Sequence, residues 1–120
     1  MIDYKLGEIE MRFCDIIWEN EPLQSGELVK LAGQKLEWKK STTYTILRKL
    51  CEKGILQNRD SVVSSLISKK DYNSLQTEKF VNENFSGSLP SFLTAFSSRK
   101  KLSEKEIGEI QKIIDKHREV

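Results

Sequence analysis

The chain has few of the residues that build metal sites and disulfide frameworks. Its 120 residues include two cysteines, Cys14 and Cys51, and one histidine, His117. Neither cysteine has a second cysteine or a histidine at the spacing of a zinc site, and the two thiols fall in separate helical patterns. We therefore expect two reduced cysteines, no metal site and no cofactor.

The sequence features of the common enzyme classes are also missing. The chain has no glycine-rich phosphate loop, no paired carboxylates in an apolar stretch and no Ser/His/Asp set around its single histidine. His117 lies near the end of the last helical pattern, where a cation is favoured by the helix dipole. We expect that the chain is not an enzyme.

Long apolar runs are absent. Runs such as Ile16-Ile17-Trp18 are far too short to span a bilayer, and the amino terminus has no apolar core of the kind found in signal peptides. These absences predict a soluble, cytoplasmic protein without membrane insertion.

The charge of the chain is informative only in its distribution. The formal net charge is +2, but between Lys39 and Arg59 six basic residues are opposed by one acid, Glu52. Such a local excess can bind a phosphate backbone. A solvated helix face would explain the same lysines equally well.

The helical pattern over residues 41–53 has two different faces. An inward face carries Thr43, Ile46, Leu47 and Leu50, and an outward face carries Ser41, Tyr44, Thr45 and Arg48. We predict Ser41 as the N-cap and Gly54 as the left-handed residue that ends the helix. Hydroxyl, phenol and guanidinium groups suit base edges and phosphates, so the outward face is a candidate DNA-binding surface.

Two helical patterns precede this helix and two short strands follow it. The patterns predict helices over residues 6–18 and 25–33, the second capped by Ser25, and strands over 55–59 and 62–67 around a turn at Asp60-Ser61. Three helices followed by a hairpin are typical of a winged helix-turn-helix, whose third helix enters the major groove of DNA.

Three further helices are predicted after residue 68, with Ser68, Ser88 and Ser103 at their starts. They carry apolar stripes that no remaining sheet or long helix can cover. A second copy of the chain is the simplest cover, although folding back on the amino-terminal part would also bury them. The predicted dimerisation residues are Leu75, Phe80, Phe85, Leu89, Phe92, Leu93, Phe96, Ile107, Ile110 and Ile114.

These patterns together predict a mainly α chain with a small β wing. Residues 1–68 are expected to form a winged helix-turn-helix domain that binds DNA. Residues 69–120 are expected to form a three-helix dimerisation domain.

Several segments resemble the BlaI/MecI/CopY penicillinase repressor family, whose members are dimeric bacterial repressors with this domain order. The resemblance implies the same fold, a role in antibiotic resistance and an operator of dyad symmetry with TACA/TGTA-type half-sites. It covers nearly the whole chain and rests on Leu6-Gly7-Glu8-Ile9-Glu10, Ile16-Ile17-Trp18-Glu19, Ser41-Thr42-Thr43-Tyr44-Thr45-Ile46-Leu47-Arg48-Lys49-Leu50, Glu52-Lys53-Gly54 and Leu66-Ile67-Ser68-Lys69-Lys70-Asp71-Tyr72.

The resemblance also assigns roles to residues. The family's recognition helix falls on residues 41–45 and on Arg48. Combined with the charge pattern, this gives a DNA-binding set whose lysines and Arg59 contact phosphates. The set is Lys39, Lys40, Ser41, Thr42, Tyr44, Thr45, Arg48, Lys49 and Arg59.

Members of the beta-lactam branch are inactivated by proteolysis after a transmembrane sensor protease detects the drug. The matching segment here is 91–96, and the bond that resembles the cleaved one joins Ala95 to Phe96. The copper-responsive branch ends in a cysteine-rich tail. No cysteine follows Cys51, which excludes copper sensing through such a tail.

One alternative function is a winged helix that binds other proteins and not DNA. Such modules usually lose the basic, hydroxyl-rich outer face of the third helix. This chain retains that face, so DNA binding is the favoured interpretation.

Overall fold

The computed structural model describes residues 4–119, which divide into two units, one ending at Gln76 and one beginning at Thr77. The division is later than the predicted boundary after Ser68, because the first turns of the helix that follows belong to the first unit. Tyr72, in that helix, is 3 % exposed, and its hydroxyl oxygen accepts the N–H of Leu6 at 2.6 Å. The expectation that this helix has little contact with the core is therefore wrong for its first half.

Besides the first turns of that helix, the first unit contains three complete helices and three short strands, as a winged helix-turn-helix requires. They are α1 (Glu8–Asn20), β1 (Leu23–Gln24), α2 (Ser25–Leu36), α3 (Lys40–Glu52), β2 (Leu56–Arg59) and β3 (Val62–Ser65). The strands form one antiparallel sheet in the order β1-β3-β2. Val63 of β3 pairs with Leu23 on one side and with Asn58 on the other. The hairpin of β2 and β3 is the wing.

Helix α2 is longer than its sequence suggested. It continues through Gly33 to Leu36, because a single glycine is tolerated inside a helix that is stabilised by packing. The helix ends where Glu37 adopts a left-handed conformation with φ 58° and the N–H of Trp38 donates to the carbonyl of Ala32. Trp38 then packs its ring 5.1 Å from that of Phe13.

The core of the first unit lies between the three helices and the sheet. Phe13, Ile17, Leu28, Leu50 and Ile55 are completely buried there. Burial of side chains of this size contributes about 1.5–3 kcal/mol each, so these contacts fix how α3 lies on the other helices.

The remaining helices are α4 (Lys69–Phe85), α5 (Leu89–Arg99) and α6 (Glu104–Arg118). The predicted starts are confirmed: the Oγ atoms of Ser68, Ser88 and Ser103 each accept an N–H from the first turn of the following helix, at 3.0 to 3.1 Å. Within residues 4–119, no helix combines the length and apolar character needed to cross a membrane.

The second unit, from Thr77 onward, has a small aromatic cluster but little buried core. Phe92 lies 5.6 Å from Phe85 and 6.4 Å from Phe96, measured between ring centroids. Among its described apolar residues only Val81 is buried, whereas Leu89 and Ile113 are 64 % and 60 % exposed.

The fold class predicted from the sequence, a winged helix followed by a helical part, is confirmed.

Candidate nucleic-acid interface

Helix α3 presents the two faces that its spacing predicts. Thr43, Leu47 and Leu50 are buried in the core of the first unit. The opposite side of the helix is exposed and carries Ser41, Thr42, Thr45 and Arg48. Short polar side chains and one guanidinium are therefore available to a ligand along this face.

The amino-terminal end of α3 is organised by backbone groups. The N-cap is Lys39 and not Ser41, which corrects the prediction from cap preferences. The carbonyl of Lys39 accepts both the N–H and the hydroxyl of Thr43, at 3.0 and 3.1 Å. The first turn contains no acid and is flanked by exposed Lys39 and Lys40. The lysines and the helix dipole both favour an anion there.

The hydroxyl of Thr45 already has a partner, since it donates to the carbonyl of Ser41 at 2.9 Å. A hydroxyl has one hydrogen to donate and two lone pairs to accept with. Thr45 can therefore accept from an amino group of a base edge, and its methyl group can contact a thymine methyl.

Tyr44 is less accessible than an outward position suggests. Its ring is half-buried, and its hydroxyl donates to Oγ of Ser25 at 3.2 Å. Ser25 is the first residue of α2 and is only 7 % exposed; the N-cap of that helix is Gln24, which corrects the prediction of Ser25 as the cap. The phenol of Tyr44 is thus held by the neighbouring helix.

Lys49 also has a partner within the first unit. Its Nζ lies 3.1 Å from Oε2 of Glu10, which additionally accepts the hydroxyl of Tyr4 at 2.7 Å. The other oxygen of Glu10 accepts the N–H of Gly7 at 3.0 Å. The hydrogen bond from Lys49 to Glu10 raises the pKa of Lys49. Its charge is partly neutralised here, which distinguishes it from Lys39 and Lys40.

The wing places a further polar residue beside α3. Asn58 of β2 lines a cavity of about 250 Å³ together with Tyr44, Leu47, Arg48 and Cys51. Arg59, the next residue, is exposed at the end of the strand, before a turn in which Asp60 and Ser61 have positive φ values of 51° and 66°. The structure thus brings Arg48 close to Asn58. Asn58 could not be identified from the sequence, because a short strand gives no signal about which helix it approaches.

The residues predicted for dimerisation lie mostly in the second unit, with Leu75 in the first. Leu75, Phe85, Phe92, Leu93 and Ile110 are half-buried, whereas Phe80, Leu89, Phe96, Ile107 and Ile114 are exposed. Ala95 and Phe96, at the predicted cleavage position, are both exposed in α5.

Comparison with known proteins gives a consistent result. The model of the family described as Penicillinase repressor matches residues 6–116. The penicillinase repressor of Bacillus licheniformis is 26% identical over 118 residues, covering 95% of this chain and 92% of that protein. The methicillin resistance regulatory protein MecI of Staphylococcus aureus strain Mu50 is 24% identical over 117 residues, covering 94% and 95%. These relatives are named as repressor and regulator, which confirms that the chain is not an enzyme.

The fold also resembles that of a relative whose structure has been solved. It is the solution structure of the monomeric form of Bacillus licheniformis BlaI in complex with the blaP half-operator, with a TM-score of 0.53 and 24% identity. The alignment covers 60% of this chain and 92% of that one. At this level of identity the similarity establishes the fold alone.

Proposed function

Because the chain belongs to the penicillinase repressor family, we propose that it is a homodimeric, sequence-specific transcriptional repressor. It reads a dyad-symmetric operator by inserting α3 of each protomer into the major groove. One observation carries this proposal: the exposed face of α3 combines Thr42, Thr45 and Arg48 with a lysine-flanked first turn that contains no acid.

The interface divides into two kinds of contact. Arg48 reads a base edge as a hydrogen-bond donor, while Thr42 and Thr45 contact methyl groups and accept from amino groups. Lys39, Lys40 and Arg59 bind phosphates, which fix the register of the protein on the duplex. Ser41, which is exposed in the first turn, adds a hydroxyl at the same end.

Dimerisation is assigned to the carboxy-terminal helices, residues 69–120. A second copy of the chain would cover the exposed apolar side chains of α5 and α6, among them Leu89, Phe96 and Ile113. The solved relative is in its monomeric form, in complex with a half-operator. That stoichiometry supports one protomer for each half-site of a full operator.

The proposal includes release of the repressor by proteolysis between Ala95 and Phe96, by a transmembrane sensor protease. Both residues are exposed in the single chain, so its own core does not cover them, although a second copy would cover Phe96 in the proposed dimer. Mass measurement of the chain before and after derepression tests this step. An intact chain in derepressed cells would exclude it.

DNA binding is tested by comparing Arg48→Ala with Lys40→Ala on two duplexes, the DNA upstream of the chain's own gene and a random sequence. Arg48→Ala should weaken binding by about 1–3 kcal/mol on the first duplex only. Lys40→Ala should weaken binding to both and lower the dependence of log K on log salt by about 0.9. Lys39 lies on the same turn as Lys40 and is also a proposed phosphate contact. Lys39→Ala should therefore have the same effect as Lys40→Ala.

The same titration separates DNA binding from the alternative. Absence of salt-dependent binding at micromolar protein would favour a winged helix that binds only proteins. Equal losses on both duplexes for Arg48→Ala would remove its role in base reading.

A further inference from the structure

Ser25 connects α2, α3 and the wing. Its Oγ accepts the hydroxyl of Tyr44 in α3 at 3.2 Å, and its N–H donates to the carbonyl of Ser61 in the wing turn at 2.8 Å. The residue is 7 % exposed, so water has little access to compete for these bonds. A single small residue therefore contacts both elements that the proposed function brings to DNA.

Both bonds follow from the position of Ser25 as the first residue of α2. The first N–H groups of a helix have no partner within the helix, so this N–H is available to the wing. Ser61 accepts it from a turn in which two non-glycine residues have left-handed backbones, a conformation that leaves the turn little freedom. The wing turn is thereby attached to the helix that supports α3.

The bond to Tyr44 acts directly on α3, the helix that is proposed to enter the major groove. Tyr44 lines the cavity that it shares with Arg48 and Asn58, and its ring is half-buried. Because its hydroxyl hydrogen is committed to Ser25, the ring has a fixed direction before DNA arrives. Groups that are already in their bound positions lose less conformational entropy on binding.

We propose that Ser25 is a positioning residue for sequence reading by this repressor. It holds the ring of Tyr44 and the wing turn in one fixed relation, so that α3 and the wing meet the duplex together. Ser25 itself does not touch DNA. The inference rests on the proposed function.

The test uses the full-length chain and the two duplexes described above, with Ser25→Ala, Tyr44→Phe and the double variant. Either substitution removes the same hydrogen bond and leaves the N–H of Ser25 in place. Each should lower affinity for the upstream duplex by about 2- to 12-fold, the equivalent of one hydrogen bond, with affinity for random DNA unchanged. The double variant should lose no more than either single variant.

Two readouts separate positioning from a purely structural role. The salt dependence of binding should stay at the wild-type value, since neither substitution alters a charge. Ser64→Ala is the matched control, because Oγ of Ser64 also accepts one side-chain bond, from Gln57 at 3.0 Å within the wing. That variant should bind both duplexes as the wild type does, and thermal unfolding of all four variants would confirm that each is folded.

Three results would overturn the inference: unchanged binding by Ser25→Ala, equal losses on both duplexes, or a double variant whose loss is the product of the two single losses. A wild-type chain that binds neither duplex would instead overturn the proposed function.

Discussion

At the scale of single residues, the carboxylate of Glu10 joins three parts of the first unit. It accepts from Tyr4 and Gly7 near the amino terminus and pairs with Lys49 of α3. Burial opposes its ionisation, but these hydrogen bonds and the charge of Lys49 outweigh burial and lower the pKa of Glu10. The carboxylate thus stabilises the fold at pH values above its ordinary pKa of 4.5, where it is ionised also in the unfolded chain. That stabilisation is lost as the pH falls through the lower folded-state pKa.

We predict that Glu10→Gln reduces the free energy of unfolding by about 1–3 kcal/mol at neutral pH, because it weakens hydrogen bonds to a charged group. Urea unfolding at a series of pH values should show a smaller loss of stability below pH 4.5, the ordinary pKa of this carboxyl group, for the variant than for the wild type. Glu8→Gln, at an exposed position in the same turn, is the control and should change little. Identical pH profiles for Glu10→Gln and the wild type would contradict the role given to Glu10.

The thiols provide a second prediction at this scale. Burial, with smaller effects of Glu10 and Asp15, raises the pKa of Cys14 to about 12. Burial and the nearby Glu52 also raise the pKa of Cys51, which is only partly buried. Because the thiolate is the reactive form, iodoacetamide at mildly alkaline pH should leave Cys14 unmodified in the folded protein and label both cysteines in urea. Mass spectrometry of the peptides measures the labelling, and Cys14 labelled as completely in the native protein as in urea would disprove the prediction.

At the scale of elements, the wing turn is under backbone strain that glycine would relieve. Asp60 and Ser61 both have positive φ values between two paired strands, where glycine is the usual second residue. Ser61→Gly should therefore stabilise the protein by about 0.5–1 kcal/mol, since the left-handed penalty exceeds the added entropy of glycine in the unfolded chain. The midpoint of urea unfolding measures this change. Ser64→Gly, within β3, should destabilise instead, and the same sign for both variants would refute the argument.

Much of the element structure could be predicted from the sequence, because its causes are local. The two-faced spacing of α3, the hairpin around Asp60-Ser61 and the serine caps of the last three helices depend on residues a few positions apart. The N-cap of α3 differs from the predicted Ser41 because the helix begins at Lys40, with Lys39 in the cap position and no side chain accepting a first-turn N–H. Residue preferences favour a hydroxyl or carboxylate at a cap and so do not reveal this start.

The contacts that shape the candidate site are not local and could not be predicted. Glu10 meets Lys49, and Ser25 meets Tyr44, only because the helices pack around a common core. The pattern identified which residues of α3 face outward. It gave no information on which of them are already engaged by neighbouring helices.

At the scale of the whole molecule, the buried core is distributed unequally. Among the described residues, the buried apolar cluster runs from Leu6 to Tyr72, entirely within the first unit. We predict that a fragment ending at Gln76 folds cooperatively as a monomer, whereas the full chain forms dimers. Sedimentation and thermal unfolding at several protein concentrations test this, because only a dimer gains stability with concentration. A full chain whose unfolding temperature is independent of concentration would contradict the prediction.

Phe96 provides the corresponding variant, since it is 47 % exposed in the single chain. Phe96→Ala should weaken dimerisation by about tenfold or more, as expected for a large aromatic side chain that a partner buries. Lys105→Ala, at an exposed polar position of α6, should leave the dissociation constant unchanged.

The bond at which cleavage is proposed lies inside helix α5. Ser98 donates to the carbonyl of Ala95 at 2.8 Å, and Ser97 donates to that of Leu93 at 2.9 Å, so the Ala95–Phe96 linkage lies within a helical turn whose carbonyls are already hydrogen-bonded. Proteases act on extended segments and on transiently opened states. An endopeptidase could cut this linkage only after the turn had unwound. The frequency of that local unfolding would therefore limit the rate of cleavage.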